Sequence, residues 1–249
     1  MRKIAVALSK GGVGKTTTAV NLAAGLAQNG RRVLLIDVDT QGQAAKLLGC
    51  APAAGLAEVA AGDLLPQQAV SYAREGLDLL AGGRGLAPLK RLITRKDFGG
   101  EQTIAEALAP LEGEYDFAIV DTAPGWDALS VNALFYVTEL LTPVSLEVMT
   151  LQSLLDFNQS LAAIQRYHPA LALRYILPTF FDRRVRKSDE ILAQLATHFG
   201  PRVCRPIRYN VRLSESPGYG QSIFEYAPHS PGADDYRALT ERILSDGGS

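Results

Sequence analysis

The chain has 249 residues, of which 47% are hydrophobic, and its formal net charge is −1. This length and composition are typical of one large globular domain, while the isolated Cys50 and Cys204 exclude a disulfide framework and predict neither a zinc site nor a redox pair. A surface for nucleic acid must be local, because the whole chain is nearly neutral, and we expect a cytoplasmic protein without a signal peptide or a membrane-spanning helix.

The first predicted elements are a strand, a glycine-rich loop and a helix. Residues 4–8 are apolar and partly β-branched, as in a buried parallel strand. Residues 18–28 carry apolar side chains at helical spacing, and Asn29-Gly30 is a stop signal. The loop between them reads Ser9-Lys10-Gly11-Gly12-Val13-Gly14-Lys15-Thr16-Thr17. A loop between a strand and a helix is where a phosphate-binding loop occurs.

The residue types of this loop suit a phosphorylated ligand. Glycines let the backbone curl until its N–H groups point inward, and the helix N-terminus adds partial positive charge. Lys15 is placed to contact the β- and γ-phosphates, and the Thr16 hydroxyl is placed to hold Mg²⁺. A simple glycine-rich connector is the alternative, but it does not require lysine and threonine at these places. We therefore predict a nucleotide site formed by residues 10–17.

Strand-like and helix-like stretches alternate along the rest of the chain. Further strands are predicted at residues 32–36, 77–80, 115–120, 140–148 and 173–177. Further helices are predicted at about residues 43–62, 86–93, 103–111, 131–136, 151–167, 188–199 and 233–244, with Ser188 capping the sixth of these. This order predicts one doubly wound α/β domain over residues 1–249, with a mostly parallel sheet between helices and a flexible tail at 244–249. Together with the glycine-rich loop, which resembles a P-loop, it indicates the P-loop NTPase fold. The ligand is expected where the strands end.

Three aspartates follow predicted strands at that edge. Asp121 comes directly after an apolar strand, as a Walker B aspartate does, and is predicted to bind Mg²⁺ directly or through water. Asp37 and Asp39 belong to the sequence Asp-Val-Asp-Thr-Gln-Gly after the second strand. A helix cap or a solvated turn is the alternative for each of them.

The positive charge of the chain is concentrated towards its C-terminus. Residues 171–215 contain nine basic residues and four acidic ones, net +5, so the remaining residues are at −6. Such asymmetry is typical of a local site for a nucleic-acid backbone. A solvated basic face has the same composition, and charge alone does not separate the two.

The loop resembles the deviant Walker A motif of the ParA/MinD ATPases, Lys-Gly-Gly-x-Gly-Lys-Thr, in which Lys10 is the first residue. Residues 37–42 resemble the Asp-x-Asp-x-Gln-Gly motif of that family. Residues 210–220 are similar to the Asn-Val-Arg-Leu-x-Glu-Ala-Pro-x-x-Gly stretch of chromosomal ParA proteins, also called Soj. The resemblance extends from residue 3 to about residue 243.

The resemblance implies an ATPase, weak without its partner, that closes as a homodimer over ATP and Mg²⁺. Lys10 would reach the nucleotide of the second subunit, Asp39 would position the attacking water, and Asp37 would join Thr16 and Asp121 around Mg²⁺. The implied catalytic residues are Lys10, Lys15 and Asp39. Asn210 matches the adenine-contacting asparagine, and Arg208 is the neighbouring base-contact candidate. Residues 122–127 match the γ-phosphate-sensing loop, although Trp126 and Asp127 are unusual there.

The resemblance also implies sequence-independent binding of double-stranded DNA. Arg184 and Arg212 match the family's DNA-binding arginines, and Arg183, Arg186 and Lys187 are candidate helpers. The implied partner is a ParB-like activator, and the implied location is the cytoplasm, in association with the nucleoid and not with a membrane. The cargo, whether chromosome, plasmid or protein compartment, does not follow from the sequence.

Two other functions on the same scaffold stay open. A MinD-like ATPase that positions itself on a membrane needs a basic amphipathic C-terminal helix, whereas residues 240–249 are acidic. A metabolic P-loop enzyme would bind a small carboxylate-bearing substrate beside ATP. A tyrosine kinase relative would need a tyrosine-rich tail, and no tyrosine follows Tyr236.

Overall fold

The structure is a computed structural model, and it describes residues 1–147 and 149–247. Its strands are β1 (Arg2–Val6), β2 (Val33–Asp37), β3 (Ser71–Arg74), β4 (Leu77–Leu80), β5 (Phe117–Asp121), β6 (Glu139–Ser145) and β7 (Ala172–Thr179). Its α-helices are α1 (Lys15–Gln28), α2 (Gln43–Leu47), α3 (Leu56–Ala61), α4 (Pro66–Ala69), α5 (Leu86–Arg95), α6 (Thr103–Leu108), α7 (Ala128–Tyr136), α8 (Thr150–Gln165), α9 (Arg186–Phe199), α10 (Val211–Glu215), α11 (Ile223–Tyr226) and α12 (Pro231–Ser245).

The seven strands form one sheet in the order β3-β4-β2-β5-β1-β6-β7. Neighbouring strands are parallel except β3 and β4, which are antiparallel. Strand β5 lies between β1 and β2, and in this register Asp121 is the partner of Val6 on one side and of Asp37 on the other. The fold therefore confirms the predicted doubly wound α/β class and brings two of the three predicted aspartates side by side.

The sheet is buried on both faces, as a parallel sheet requires. Alternate residues of each central strand contribute to two separate cores. Helices α1, α2, α11 and α12 cover one face. Helices α3 to α9 cover the other face. No helix in the described part of the chain combines the length and the apolar composition needed to cross a bilayer.

Several predicted element boundaries were wrong for identifiable reasons. Strand β3 was not predicted, and it pairs only with β4 at the sheet edge. The predicted helix at 43–62 is divided into α2 and α3, because the chain turns at Gly49, whose φ of 64° ends α2. Ser188 is a buried residue inside α9, which begins two residues earlier. Leu244 and Ser245, predicted as part of a flexible tail, are helical. Residues 148, 248 and 249, which fall within the predicted strand and tail, lie outside the described residues.

Candidate nucleotide site

The loop between β1 and α1 curls as the glycines predict. Gly12 and Gly14 have φ values of 74° and 85°, a conformation that strains any residue with a Cβ. The Gly14 carbonyl accepts the first helical hydrogen bond, from the N–H of Thr18 at 2.9 Å. The Lys15 side chain is buried inside the curl, and its Nζ donates to the Lys10 carbonyl oxygen at 2.7 Å. A main-chain carbonyl oxygen of the loop thus holds the Lys15 side chain in place.

The two adjacent strand-end aspartates are both fully buried but differ in their partners. The carboxylate oxygens of Asp37 accept the backbone N–H groups of Asp39, at 2.9 Å, and of Ala44, at 3.1 Å. Neither oxygen of Asp121 accepts a hydrogen bond of normal geometry from the described residues, although the Thr16 hydroxyl lies close enough to lower its pKa. A buried carboxylate without a partner is costly, so the free oxygens of Asp121 mark a place for a ligand.

The charges of this cluster follow from its burial. Burial raises the pKa of Asp37 to about 6. Burial, and then the negative charge of Asp37, raise the pKa of Asp121 well above its ordinary value, and Thr16 and Lys15 oppose that rise only in part. Burial lowers the pKa of Lys15, while the carboxylates of Asp121 and Asp39 act in the opposite direction. A bound divalent cation would relieve the repulsion between the two aspartates.

The residues present fit Mg²⁺. The donors are the Thr16 hydroxyl and two carboxylates, which are the hard oxygen ligands that this ion prefers. Within the described residues no group of three His, Cys, Asp or Glu side chains forms a metal cage by itself. Mg²⁺ is commonly held by one or two carboxylates together with substrate phosphates. The predicted ligands Thr16, Asp37 and Asp121 therefore fit Mg²⁺ only in combination with a phosphorylated ligand, and their role stays a prediction.

We predict that Asp121→Asn stabilises the ligand-free protein, because it removes a buried charge that has no partner. In EDTA at pH 7.5, the free energy of unfolding is expected to rise by about 2 kcal/mol. Because the pKa of Asp37 is raised to about 6, the wild-type protein loses stability as the pH rises from about 4 through about 6, and the raised pKa of Asp121 acts in the same direction. The variant should show a smaller loss. Urea unfolding at pH 5 and 7.5 measures both effects.

The same variant should lose the stabilisation that Mg·ADP gives the wild-type protein. Asp63→Asn, at an exposed turn, is the matched control and should behave as wild type in both measurements. An Asp121→Asn protein that is less stable than wild type in EDTA at pH 7.5 would contradict the interpretation of Asp121 as an uncompensated charge.

A pocket of about 530 Å³ opens at this edge of the sheet, a size suited to a nucleotide. It brings together parts of the chain that are far apart in sequence: the loop, the segment after β2, the end of β7 and residues 207–217. The predicted site residues that line it are Gly11, Gly12, Gly14, Lys15, Thr16, Thr17, Asp39, Arg208 and Asn210. Val13 and Asp121 do not line the pocket, because both side chains are buried, Val13 beneath the loop and Asp121 at the end of β5.

Asn210 and Arg208, the two residues predicted to lie near the base of the nucleotide, already form hydrogen bonds within the chain. The Asn210 Oδ1 accepts the backbone N–H of Arg212 at 2.9 Å and caps α10. The Arg208 guanidinium donates to both carboxylate oxygens of the buried Asp235, with its Nη2 at 2.8 Å from Oδ1. Arg208 therefore fixes its loop to α12, and its role toward a nucleotide stays a prediction.

The side chain of Lys10 forms an ion pair with another part of the same chain. Its Nζ lies 2.6 Å from Oε2 of Glu147, which follows β6 and is 137 positions away in the sequence. The hydrogen bond from Lys10 lowers the pKa of the Glu147 carboxyl group. Lys10 does not line the pocket described above. The role of Lys10 toward a nucleotide therefore stays a prediction.

The sequence did not reveal Phe180 as a site residue. Within the described residues it is the only non-glycine residue with positive φ, at 56°, and its side chain is 46% exposed in the pocket wall. Hydrogen bonds on both sides hold this conformation: the Thr179 hydroxyl donates to the Val13 carbonyl oxygen at 3.1 Å, and the Phe181 N–H donates to the Ile207 carbonyl oxygen at 3.0 Å. Strained residues of this kind cluster at ligand sites. No local sequence signal marks a positive φ at a phenylalanine.

The loop after β5 connects the pocket to two helices. Pro124 lines the pocket beside Gly11. The Trp126 ring stacks on Phe157 of α8, with 5.0 Å between the ring centroids. Asp127 caps α7 and pairs with Lys90 of α5 at 3.0 Å. The unusual tryptophan and aspartate of this chain thus fix the loop to its neighbours.

The five predicted DNA-binding residues are all exposed. Four of them form ion pairs with nearby acids. Arg184 pairs with Asp182 at 2.7 Å and Arg212 pairs with Glu215 at 2.9 Å. Arg186 and Lys187 share Glu190. These side chains lie on the surface near the pocket edge of the sheet, but much of their charge is locally offset.

Comparisons with known proteins agree with this geometry. The protein family described as AAA domain matches residues 1–173. The chromosome-partitioning ATPase Soj of Thermus thermophilus is 38% identical over 247 residues, which cover 98% of this chain and 96% of that protein. The chromosome partitioning protein ParA of Myxococcus xanthus is 34% identical over 98% of this chain and 88% of its own length. A solved structure of cobyrinic acid a,c-diamide synthase from Mycobacterium smegmatis, with bound ADP and magnesium, has a TM-score of 0.86 and 31% identity over 100% of this chain and 96% of that one.

Proposed function

Because this chain belongs to the ParA/MinD family of P-loop ATPases, we propose that it is a ParA-type positioning ATPase that binds double-stranded DNA as an ATP-bound homodimer. Hydrolysis, stimulated by a ParB-like activator, would release it from the nucleoid. The observation that carries the proposal is the curled loop that begins at Lys10, together with the buried carboxylate of Asp121, on which Thr16 and Lys15 of that loop act. Soj and ParA relatives named for chromosome partitioning match almost the whole chain and support the same function.

The residues of the site have separate roles in this mechanism. Backbone N–H groups of residues 11–17 would bind the phosphates, and buried Lys15 would neutralise the charge that develops between them. Thr16, Asp37 and Asp121 would hold Mg²⁺, which supplies further positive charge to the phosphates. Asp39 would orient the attacking water, because positioning and electrostatics dominate phosphoryl transfer.

The dimer supplies the remaining positive charge. Lys10 does not line the pocket of its own subunit, and a partner subunit facing the same edge would receive it at its nucleotide. ATP would then act as a switch, since only the closed dimer combines the basic surfaces of two subunits on one DNA duplex. The nucleotide shifts the equilibrium by its higher affinity for the closed form.

DNA retardation with ATP, with ADP and without nucleotide tests this function. The wild-type protein should retard a duplex strongly only with Mg·ATP. Arg212→Glu should weaken that binding at least about 10-fold, because it replaces a phosphate contact by a like charge. Arg31→Glu, an equal charge reversal at an exposed position outside residues 183–212, is the matched control. Retardation that depends on neither the nucleotide nor Arg212 would refute the DNA switch.

The metabolic alternative has one observation in its favour, the 31% identity to a structure named as a cobyrinic acid a,c-diamide synthase. ATP turnover with and without DNA separates the two functions, because a partition ATPase should respond to DNA together with its activator. Pelleting with liposomes in Mg·ATP tests the MinD-like alternative.

A further inference from the structure

Helix α5 and the residues that flank it form a basic surface that the sequence analysis did not single out. Residues 84–98 contain five basic residues and one acidic residue, net +4. The stretch predicted to bind DNA, residues 171–215, needs three times the length to reach net +5. We call the four exposed members of this group, Arg84, Arg91, Arg95 and Lys96, the α5 basic surface.

The helix directs this surface away from the core. Leu86, Leu89 and Ile93 are buried on its inner side. Arg91 and Arg95 are four residues apart and therefore neighbours on one outer face of the helix. The arrangement is fixed by the packing of α5 on the sheet, because turning the arginines inward would expose the three apolar side chains.

The arginines of this surface have no acidic partner. Among the described residues, no carboxylate lies within 4.0 Å of the guanidinium groups of Arg84, Arg91 or Arg95. By contrast, Arg184 and Arg212 both form ion pairs. A guanidinium without an internal partner can neutralise a DNA phosphate without first breaking an ion pair, and the counterions condensed on that phosphate are then released. Its planar set of N–H donors also matches phosphate oxygens.

The α5 basic surface lies on the same face of the sheet as α9. Leu86 and Leu89 of α5 belong to the same core as Ile191 and Leu195 of α9. Helix α8, which lies over that face beside α9, has one acidic residue, Asp156, in 16 residues and would repel phosphate little. A duplex that crosses this face could therefore contact the basic start of α9 and the α5 basic surface together.

We propose that the α5 basic surface is a second contact for the phosphate backbone of double-stranded DNA. The proposal rests on the DNA binding proposed above and adds to it a site outside residues 183–212. Leu92 and Phe98 are exposed beside the arginines, so an acidic protein segment is the other partner that this surface could accept. The three unpaired guanidinium groups, on the face shared with α9, favour DNA.

The test is the salt dependence of binding to a fluorescent 24-base-pair duplex in Mg·ATP, measured by anisotropy between 50 and 200 mM KCl. Each lost phosphate contact lowers the slope of log K against log salt by about 0.9. Arg91→Ala/Arg95→Ala should therefore lower the slope by about 1.8, so that its affinity falls about 12-fold less than that of wild type over this range. Arg31→Ala/Arg237→Ala removes the same charge from exposed positions elsewhere, with Arg237 on α12 over the opposite face of the sheet, and should keep the wild-type slope.

The outcomes separate this inference from the proposed function. A wild-type slope in Arg91→Ala/Arg95→Ala, with ATP-dependent binding retained, overturns the second contact and leaves the proposed function standing. An equal decrease in the control double variant also overturns it, because the effect would then come from net charge alone. A wild-type protein that binds no DNA refutes the proposed function itself. Each variant is expected to fold, because all four substituted arginines are exposed, and thermal melting verifies this.

Discussion

Asp39→Ala is expected to abolish turnover while the protein still binds ATP, so that the ATP-bound dimer accumulates. Asp39 lies two residues after the end of β2 and lines the pocket beside the loop. Its Oδ1 accepts the backbone N–H of Gln41 at 2.9 Å, and this hydrogen bond fixes the orientation of the carboxylate. Losing a group that positions the nucleophile costs about 100-fold or more in rate. The contacts proposed between residues 11–17 and the phosphates do not involve this side chain.

Phosphate release and light scattering after size exclusion measure the two effects on one sample. With Mg·ATP the variant should elute as a stable dimer, and with ADP it should elute as a monomer. Asp63→Ala, which removes an exposed carboxylate elsewhere, should hydrolyse ATP at the wild-type rate. A variant that elutes only as a monomer with Mg·ATP would count against the trapped dimer, and wild-type turnover would remove Asp39 from the mechanism.

Lys10→Ala is expected to lose the dimer and at least about 100-fold in hydrolysis, yet to keep ATP binding within a few-fold of wild type. The reason is the hydrogen bond from the Lys15 side chain to the main chain of Lys10. The Lys15 Nζ is held by the main-chain carbonyl of residue 10, which alanine retains, so the loop of one subunit keeps its shape. What the variant loses is the ammonium group, which in a dimer would stabilise the charge on the partner's phosphates.

Glu147→Gln is the matched variant, since it breaks the same ion pair from the other side but leaves Lys10 in place. It should still form a dimer with Mg·ATP and should hydrolyse ATP, because the lysine remains available to the second subunit. Fluorescent ATP binding and size exclusion with light scattering distinguish the two variants. A Lys10→Ala protein that forms the Mg·ATP dimer as wild type does would contradict the exchange of lysines between subunits.

The electrostatic state of the site explains why ligand and metal should bind together. Asp37 and Asp121 are side by side in the register of the sheet, and the charge of Asp37 raises the cost of ionising Asp121. Mg²⁺ with a nucleotide supplies both the positive charge and the missing oxygen ligands. The affinity for Mg·nucleotide should therefore decrease as the pH falls below about 6, where Asp37 becomes protonated.

The loop of residues 9–17 and the fold class could be predicted from the sequence because both depend on local patterns. Gly12 and Gly14 occupy positive φ values that few other residues tolerate, and their spacing to Lys15 and Thr16 is fixed along the chain. Apolar strands alternating with helical periodicity are enough to indicate a doubly wound sheet. These features need no knowledge of which distant residues meet.

The tertiary structure alone decided the pairing of groups that are distant in sequence. The register of β5 against β2 placed Asp121 beside Asp37, and the end of β6 brought Glu147 to Lys10 across 137 positions. The positive φ of Phe180 is likewise imposed by hydrogen bonds to other segments. The number of charged residues can be read from the composition, but not which arginines pair with a carboxylate. An ion pair depends on distances of a few ångströms between side chains. For that reason the sequence identified the nucleotide loop, while only the folded chain distinguished the paired arginines near residue 184 from the unpaired arginines of α5.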